Sequence, residues 1–247
     1  MKGMVSDLYH TKYVALDYSD LTKAEILEKI RSMVNNSFDE SVTLFYYSGH
    51  GLYSADESKL GALYAIDGNY ITFKQLATEL SKIKGRVIVI LDSCYSGASI
   101  KSVGGSAEDS LDTFNDAAIE AFSGYSLDSN PNGIKSGELK QSKFIVITAS
   151  AYNHASYATG KPGYDGNGYQ QSAFTAAIIK GMGRKYPIGA KINRYGNKEP
   201  ADKNEDGKVT LWEIYSYANS TARSWTSKNG DPQRAKYYGP EGEVLFW

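Results

Sequence analysis

The sequence contains a single cysteine, Cys94, and its charges almost cancel. One cysteine cannot form a disulfide within the chain, so a disulfide framework is excluded. The 27 basic and 28 acidic side chains leave no basic excess, which argues against a nucleic-acid partner and against a polybasic membrane contact. No apolar run approaches the length of about 18 residues that a membrane span needs, so we predict no membrane partner.

The composition is that of a globular domain, with 41% hydrophobic and 22% charged residues. At 247 residues the chain is long enough to bury a substantial core without disulfides. The first ten residues have no apolar run long enough for a signal peptide. The 20 tyrosines, together with abundant Ser, Asn and Gly, nevertheless favour an extracytoplasmic bacterial location over a cytoplasmic one. The oligomeric state is left open.

Helical and strand spacing of apolar residues alternate along the chain. Helices are predicted over 23–34, 72–83, 172–182 and 210–225, and strands over 41–47, 86–91, 144–150 and 242–247. Strands 86–91 and 144–150 are continuously apolar, which indicates that both faces of the sheet are covered. We therefore predict an α/β fold with a mostly parallel sheet between helix layers. The polar segment 101–143 is interpreted as an irregular linker.

His50 and Cys94 each follow a buried strand and lie in a glycine-containing turn. Neighbouring parallel strands lie about 5 Å apart, so adjacent strands would bring the two residues together at one edge of the sheet. The imidazole can then favour the thiolate or move its proton. The backbone N–H groups of Gly51 and Cys94 are candidates for an oxyanion hole. The alternative is that Cys94 is a small buried hydrophobe, as most lone cysteines are.

The two motifs, "YYSGHG" and "ILDSCYSG", resemble those of the superfamily of cysteine peptidases that contains caspases, metacaspases, clostripain and legumain, and its bacterial caspase-like members in particular. The resemblance implies a caspase-like α/β/α sandwich in which His50 is the general acid/base and Cys94 the nucleophile of peptide hydrolysis through a thioester. It implies one domain over 1–247, with a large-subunit-like half (1–100), a linker (101–143) and a small-subunit-like half (144–247). The apolar first strand of the family is not found in this sequence.

Asp92 stands two residues before Cys94, and residues two apart on a strand share a face. A carboxylate there predicts a pocket for a basic side chain, and metacaspase-like enzymes imply the same preference for cleavage after Arg or Lys. Ser48 is a further predicted substrate-binding residue. Asp56 and Glu57 are candidates for added negative charge. The alternative is that Asp92 caps the turn that follows it.

The linker 101–143 is a candidate site of self-cleavage, as occurs between the two halves of related peptidases. Lys101, Lys135 and Lys140 are candidate cleavage sites for an enzyme of this specificity. The alternative is an intact surface loop.

Residues 202–213, "DKNEDGKVTLWE", fit the twelve-residue calcium loop of EF-hands. The predicted ligands are Asp202, Asn204, Asp206, the carbonyl of Lys208 and Glu213, with Thr210 or a water at position nine. A proline precedes the loop where an EF-hand has its entering helix. The alternative is an acidic turn that caps the last helix.

The sequence thus predicts a cysteine endopeptidase acting on peptides or proteins, with no catalytic cofactor and with Ca²⁺ as a bound ion. Two rival interpretations stay open. One is a catalytically silent caspase-fold module that binds partners, and the other is a calcium-binding surface domain whose peptidase motifs are vestigial.

Overall fold

A computed structural model describes residues 16–52, 61–95, 107–127, 142–152, 172–183, 199–227, 233–242 and 244–246. The helices are α1 (Lys23–Asn36), α2 (Phe73–Leu80), α3 (Ala107–Ser123), α4 (Ala173–Gly181) and α5 (Leu211–Ser227). The strands are β1 (Val42–Leu52), β2 (Ala62–Tyr64), β3 (Tyr70–Thr72), β4 (Arg86–Tyr95), β5 (Phe144–Tyr152), β6 (Val209–Thr210), β7 (Arg234–Tyr238) and β8 (Val244–Phe246). Among these helices none is long and apolar enough to cross a bilayer.

The main sheet has six strands in the order β3-β2-β1-β4-β5-β7. Its centre, β1-β4-β5, is parallel, whereas β2, β3 and β7 run antiparallel to their neighbours. The prediction of an α/β sheet with a parallel core is thus confirmed. The predicted terminal strand forms as β8, and it pairs with β6 in a separate two-stranded sheet.

Helices cover both faces of the sheet, which confirms the three-layer α/β/α arrangement. Alternate residues of β4 enter different cores: Ile88 and Ile90 pack with α4 and α5, whereas Val87 and Val89 pack with α1, α2 and α3. All four are at most 1% exposed. Such double burial requires a continuously apolar strand, which is the pattern of this segment.

Helix α3 lies inside the segment 101–143, and the interpretation of that whole segment as irregular is wrong for residues 107–123. Its fully buried face consists of Phe114, Ala118 and Phe122 at four-residue spacing. The Phe114 ring packs edge-on against Phe73, with ring centroids 5.1 Å apart. Acidic residues and alanines surround these anchors, so the helical period is weak in the sequence and is completed only by tertiary packing.

Candidate active site

The register of β1 and β4 places His50 directly beside Cys94. Both positions lie at the carboxyl ends of two parallel central strands, where open α/β sheets concentrate their chemistry. Ser48 is paired in the same way with Asp92, and Gly51 with Tyr95. His50, Cys94, Ser48 and Asp92, which the sequence predicts for catalysis and specificity, therefore form two neighbouring cross-strand pairs at the carboxyl edge of the sheet.

His50 is exposed, whereas the backbone around it is braced by Tyr47. The Tyr47 hydroxyl lies 2.8 Å from the carbonyl oxygen of His50 and 2.9 Å from that of Tyr64 on β2. A Cβ atom at Gly49 would lie 2.6 Å from this hydroxyl, so the glycine makes room for the brace. Sequence reasoning missed Tyr47, although "YYSGHG" places a tyrosine three residues before the histidine.

Asp92 is fully buried. Its Oδ2 atom accepts hydrogen bonds from the Thr175 backbone N–H (3.2 Å) and from the Thr175 hydroxyl (2.5 Å). Its Oδ1 atom accepts one from the Gln233 side-chain amide at 3.3 Å. The Ser172 side chain also bonds the carboxylate. Burial raises the pKa of Asp92, while these hydrogen bonds oppose that rise.

The Asp92 contacts link three elements that are far apart in sequence. Ser172 is the N-cap of α4 and accepts the Phe174 N–H, so the carboxylate lies at the first turn of that helix. Gln233 immediately precedes β7, and its backbone N–H donates to Thr226 near the end of α5. The described partners of Asp92 are therefore on α4 and before β7, and the turn after β4, which the alternative interpretation invokes, lies outside the described residues.

Tyr46 on β1 contacts Thr175, the residue that bonds Asp92. Its hydroxyl lies 2.6 Å from the Thr175 hydroxyl oxygen. Since the single Thr175 hydroxyl proton is donated to Asp92, the threonine oxygen accepts from Tyr46. Alternation along β1 puts Tyr46 on the same face as His50, which was a signal available in the sequence. The partnership with Thr175 was not.

Other predicted residues are less informative. Ser48 is exposed and Gly51 is buried, and neither has a tested role. The candidates Asp56 and Glu57 lie outside the described residues, as do the proposed cleavage sites Lys101, Lys135 and Lys140 and the region before residue 16.

Comparison with known proteins identifies the family. A sequence model of the caspase domain matches residues 2–198. The chain belongs to the caspase domain family.

This caspase-domain chain also matches the crystal structure of protein GSU0716 from Geobacter sulfurreducens. The identity is 16% and the TM-score is 0.49, over 100% of this chain and 87% of that one. No curated protein is similar enough to count as a match. The family implies a cysteine peptidase that acts on proteins or peptides.

The predicted calcium loop begins after the region that matches the caspase domain. Its acidic residues are occupied by internal turns: Asp202 Oδ2 accepts the Gly207 N–H at 3.0 Å, and Asp206 Oδ1 accepts the Lys208 N–H at 2.8 Å. Gly207 has a φ of +81°, which favours glycine at this bend. In the part of the chain that the structure describes, no three His, Cys, Asp or Glu side chains are grouped to hold a metal.

The surroundings of Asp202 Oδ1 and Glu213 Oε2 indicate how well this loop fits a cation. Asp202 Oδ1 is buried without a hydrogen-bond partner among the described residues. A buried orphan acceptor costs free energy, and a hard cation would satisfy it. Glu213 is 9% exposed, and its Oε2 atom accepts from both the N–H and the hydroxyl of Thr210. Glu213 thus caps α5, as the alternative interpretation expects, while the orphan oxygen of Asp202 fits a cation.

Proposed function

We propose that this caspase-domain chain is a cysteine endopeptidase in which Cys94 is the nucleophile and His50 the general acid/base. The observation that carries the proposal is the register of β1 and β4, which pairs these two residues at the carboxyl edge of the sheet. A thiol and an imidazole can act together in catalysis, and here they come from two strands that are not consecutive in the chain. They rarely become neighbours by accident at the carboxyl edge, where α/β sheets have their active sites.

The reaction follows from the two groups. The Cys94 thiolate attacks the scissile carbonyl carbon, and the N–H groups of Gly51 and Cys94 are the candidates to stabilise the oxyanion. His50 donates a proton to the leaving nitrogen as the C–N bond breaks, which leaves a thioester. Water, deprotonated by His50, then attacks the thioester and releases the acid and the thiolate. No cofactor takes part in these steps.

Cleavage after Arg or Lys is the specificity that we propose. Asp92 is a buried carboxylate two residues before the nucleophile, and no basic side chain among the described residues forms a salt bridge with it. A buried carboxylate with only neutral partners attracts a cationic substrate group, because a buried charge is costly until it is paired.

Fluorogenic peptides that differ only in the residue before the scissile bond test the proposal. We expect hydrolysis after Arg and Lys, and neither after Asp nor after Asn. Cys94→Ala and His50→Ala should each abolish it in folded protein. Equal activity of wild type and Cys94→Ala would overturn the nucleophile, and a preference for Asp would overturn the basic pocket. Inactivity of a folded wild type that also resists a chloromethyl-ketone peptide would favour the partner-binding module.

We also propose that residues 202–213 bind Ca²⁺. Asp202, Asn204, Asp206, the Lys208 carbonyl and Glu213 would supply the oxygens, and the ion would brace the start of α5. The buried, unpartnered Asp202 Oδ1 atom is the observation that favours this proposal.

Trp212 provides a direct readout of the loop, because a neighbouring indole sensitises the luminescence of Tb³⁺ bound at a calcium site. We expect a Tb³⁺ signal that Ca²⁺ displaces and Mg²⁺ does not, and a higher Tm with Ca²⁺ than with chelator. Asp202→Asn should lose both effects. Asp67→Asn is the matched control, since Asp67 forms a similar acidic turn with Asn69. Loss of signal in both variants, or in neither, would contradict a specific site.

A further inference from the structure

The two oxygens of Asp92 are held very differently. Oδ2 has two bonds from Thr175, one of them from the backbone, and the Thr175 hydroxyl is itself held by Tyr46. Oδ1 has the Gln233 amide, at the longer distance of 3.3 Å. Oδ2 is thus tied to the backbone of α4 and Oδ1 contacts the Gln233 side chain, while the Ser172 side chain, at the N-cap of α4, also bonds the carboxylate.

Access to Asp92 requires one of these partners to leave, because the carboxylate has no exposed surface in this structure. The Thr175 backbone N–H cannot leave without unwinding the first turn of α4, whose residues from Ala173 to Ile178 are all buried, and Ser172 is held as the N-cap of that turn by the Phe174 N–H. The Gln233 amide can leave by side-chain rotation, since its other described bond is made by its backbone N–H to Thr226. Gln233 is therefore the replaceable partner.

We propose that Oδ1 of Asp92 is the atom that binds the basic side chain of the substrate, that the Gln233 amide is its built-in competitor, and that Thr175, supported by Tyr46, is the positioning residue that fixes Oδ2. This inference rests on the proposed cleavage after basic residues. It predicts that Gln233 weakens and Thr175 strengthens the binding of a basic substrate, although both contact Asp92.

The exchange is favourable because a neutral donor is replaced by a cationic one. Hydrogen bonds between ionised groups are roughly twice as strong as neutral ones, and a cation also neutralises the buried charge of Asp92. Since Oδ2 already accepts two bonds from Thr175, a guanidinium cannot fork across both oxygens. Because the guanidinium cannot make a bidentate contact, Arg binds little more tightly than Lys. We expect kcat/KM values for Arg and Lys peptides within about tenfold of each other.

Two variants give opposite results if the assignment is right. Gln233→Ala should lower KM for an Arg peptide by roughly three- to tenfold, because the competitor is gone. Thr175→Val should raise KM for the same peptide by about ten- to a hundredfold, the range expected for a lost hydrogen bond to a charged group. Both shifts in KM should be smaller for a citrulline peptide, in which a neutral urea replaces the guanidinium. Thr175→Ser should restore the wild-type value.

Matched controls separate these effects from a general loss of stability. Thr148 is a fully buried threonine on the opposite face of the sheet, and its hydroxyl donates to Asn115 at 2.9 Å. Thr148→Val therefore removes a comparable bond away from Asp92. Gln75→Ala on α2 is the control for the glutamine change. If Thr175→Val does not fold, Thr175→Ser and Tyr46→Phe are compared instead. We expect a raised KM for the Arg peptide in Tyr46→Phe and the wild-type KM in Thr175→Ser.

The outcomes distinguish this inference from the function on which it rests. A raised KM in Gln233→Ala, or Arg kinetics of Thr175→Val equal to those of Thr148→Val, would overturn the inference while cleavage after Arg stands. A wild type that cleaves Arg and citrulline peptides equally would overturn the basic pocket itself, and with it this inference. Activity that persists in Cys94→Ala would overturn the peptidase mechanism.

Discussion

The Tyr47 hydroxyl lies 2.8 Å from the carbonyl oxygen of His50, and it reaches Tyr64 on the neighbouring strand as well. Tyr47 belongs to the sheet face that packs against α1, α2 and α3. The histidine is thus braced from the face opposite to the one that holds Asp92. The Tyr47 contacts therefore help to hold the C-terminal end of β1, and with it the proposed acid/base His50, in place.

Removal of this brace by Tyr47→Phe should lower kcat of peptide cleavage several-fold and leave KM nearly unchanged, because the change loosens His50 without touching the Asp92 pocket. The free energy of unfolding should fall by about 1 kcal/mol, the usual net value of one hydrogen bond. Urea titrations and steady-state kinetics measure the two effects. Tyr125→Phe, which loses a hydroxyl contact with Thr78 at 3.2 Å, is the control. Equal kinetics in the two variants would contradict the role of Tyr47.

Asp92 should make stability depend on pH in a predictable direction. Burial raises its pKa in the folded protein above the value of about 3.9 in an unfolded chain. The folded state then binds more protons than the unfolded state between these two pKa values. The contribution of Asp92 to stability is therefore fully present below pH 3.9 and is lost as pH rises through the folded pKa.

The measurement is the difference in unfolding free energy between wild type and Asp92→Asn in urea, from pH 3.5 to pH 8. We expect wild type to lose stability relative to Asp92→Asn as pH rises, by up to about 1.4 kcal/mol per pH unit, and then to level off. Asp112→Asn, at a partly exposed ion pair with Arg234, controls for general charge effects. A wild type that gains stability with pH would mean that the hydrogen bonds from Thr175 and Gln233 outweigh burial.

The strands and the pairing of His50 with Cys94 could be predicted because their signals are local. Each central strand contains an apolar run, but β1 and β4 extend beyond it, so that His50 and Cys94 lie in the last residues of these strands and the prediction that they lie in turns is wrong. The contacts that tune the site are not local: Tyr46 meets Thr175 across 129 residues, and Gln233 meets Asp92 across 141. A threonine in a helix and a glutamine before a strand carry no pattern of their own, so only the folded chain identifies them.

Helix α3 shows the same limit in the segment proposed for self-cleavage. Its buried face is completed by Phe73 and by Phe144, whose rings lie 5.1 Å from Phe114 and 4.9 Å from Phe122. Those partners come from α2 and β5, on either side of the segment. Residues 107–123, with three buried anchors, therefore fold against the core.

Cleavage within 101–143 should for this reason leave the two halves associated. Helix α3 packs against both α2 and β5, so a cut at Lys135 or Lys140 leaves it with the first half, and a cut at Lys101 leaves it with the second. In either case its buried phenylalanines bridge the fragments. We expect wild type to show fragments by mass spectrometry under denaturing conditions and one species under native size-exclusion chromatography. Cys94→Ala should stay intact in both, as should a variant with all three lysines changed to Ala. Fragments in Cys94→Ala would assign the cleavage to another protease, and an active wild type that stays intact would show that processing is not required.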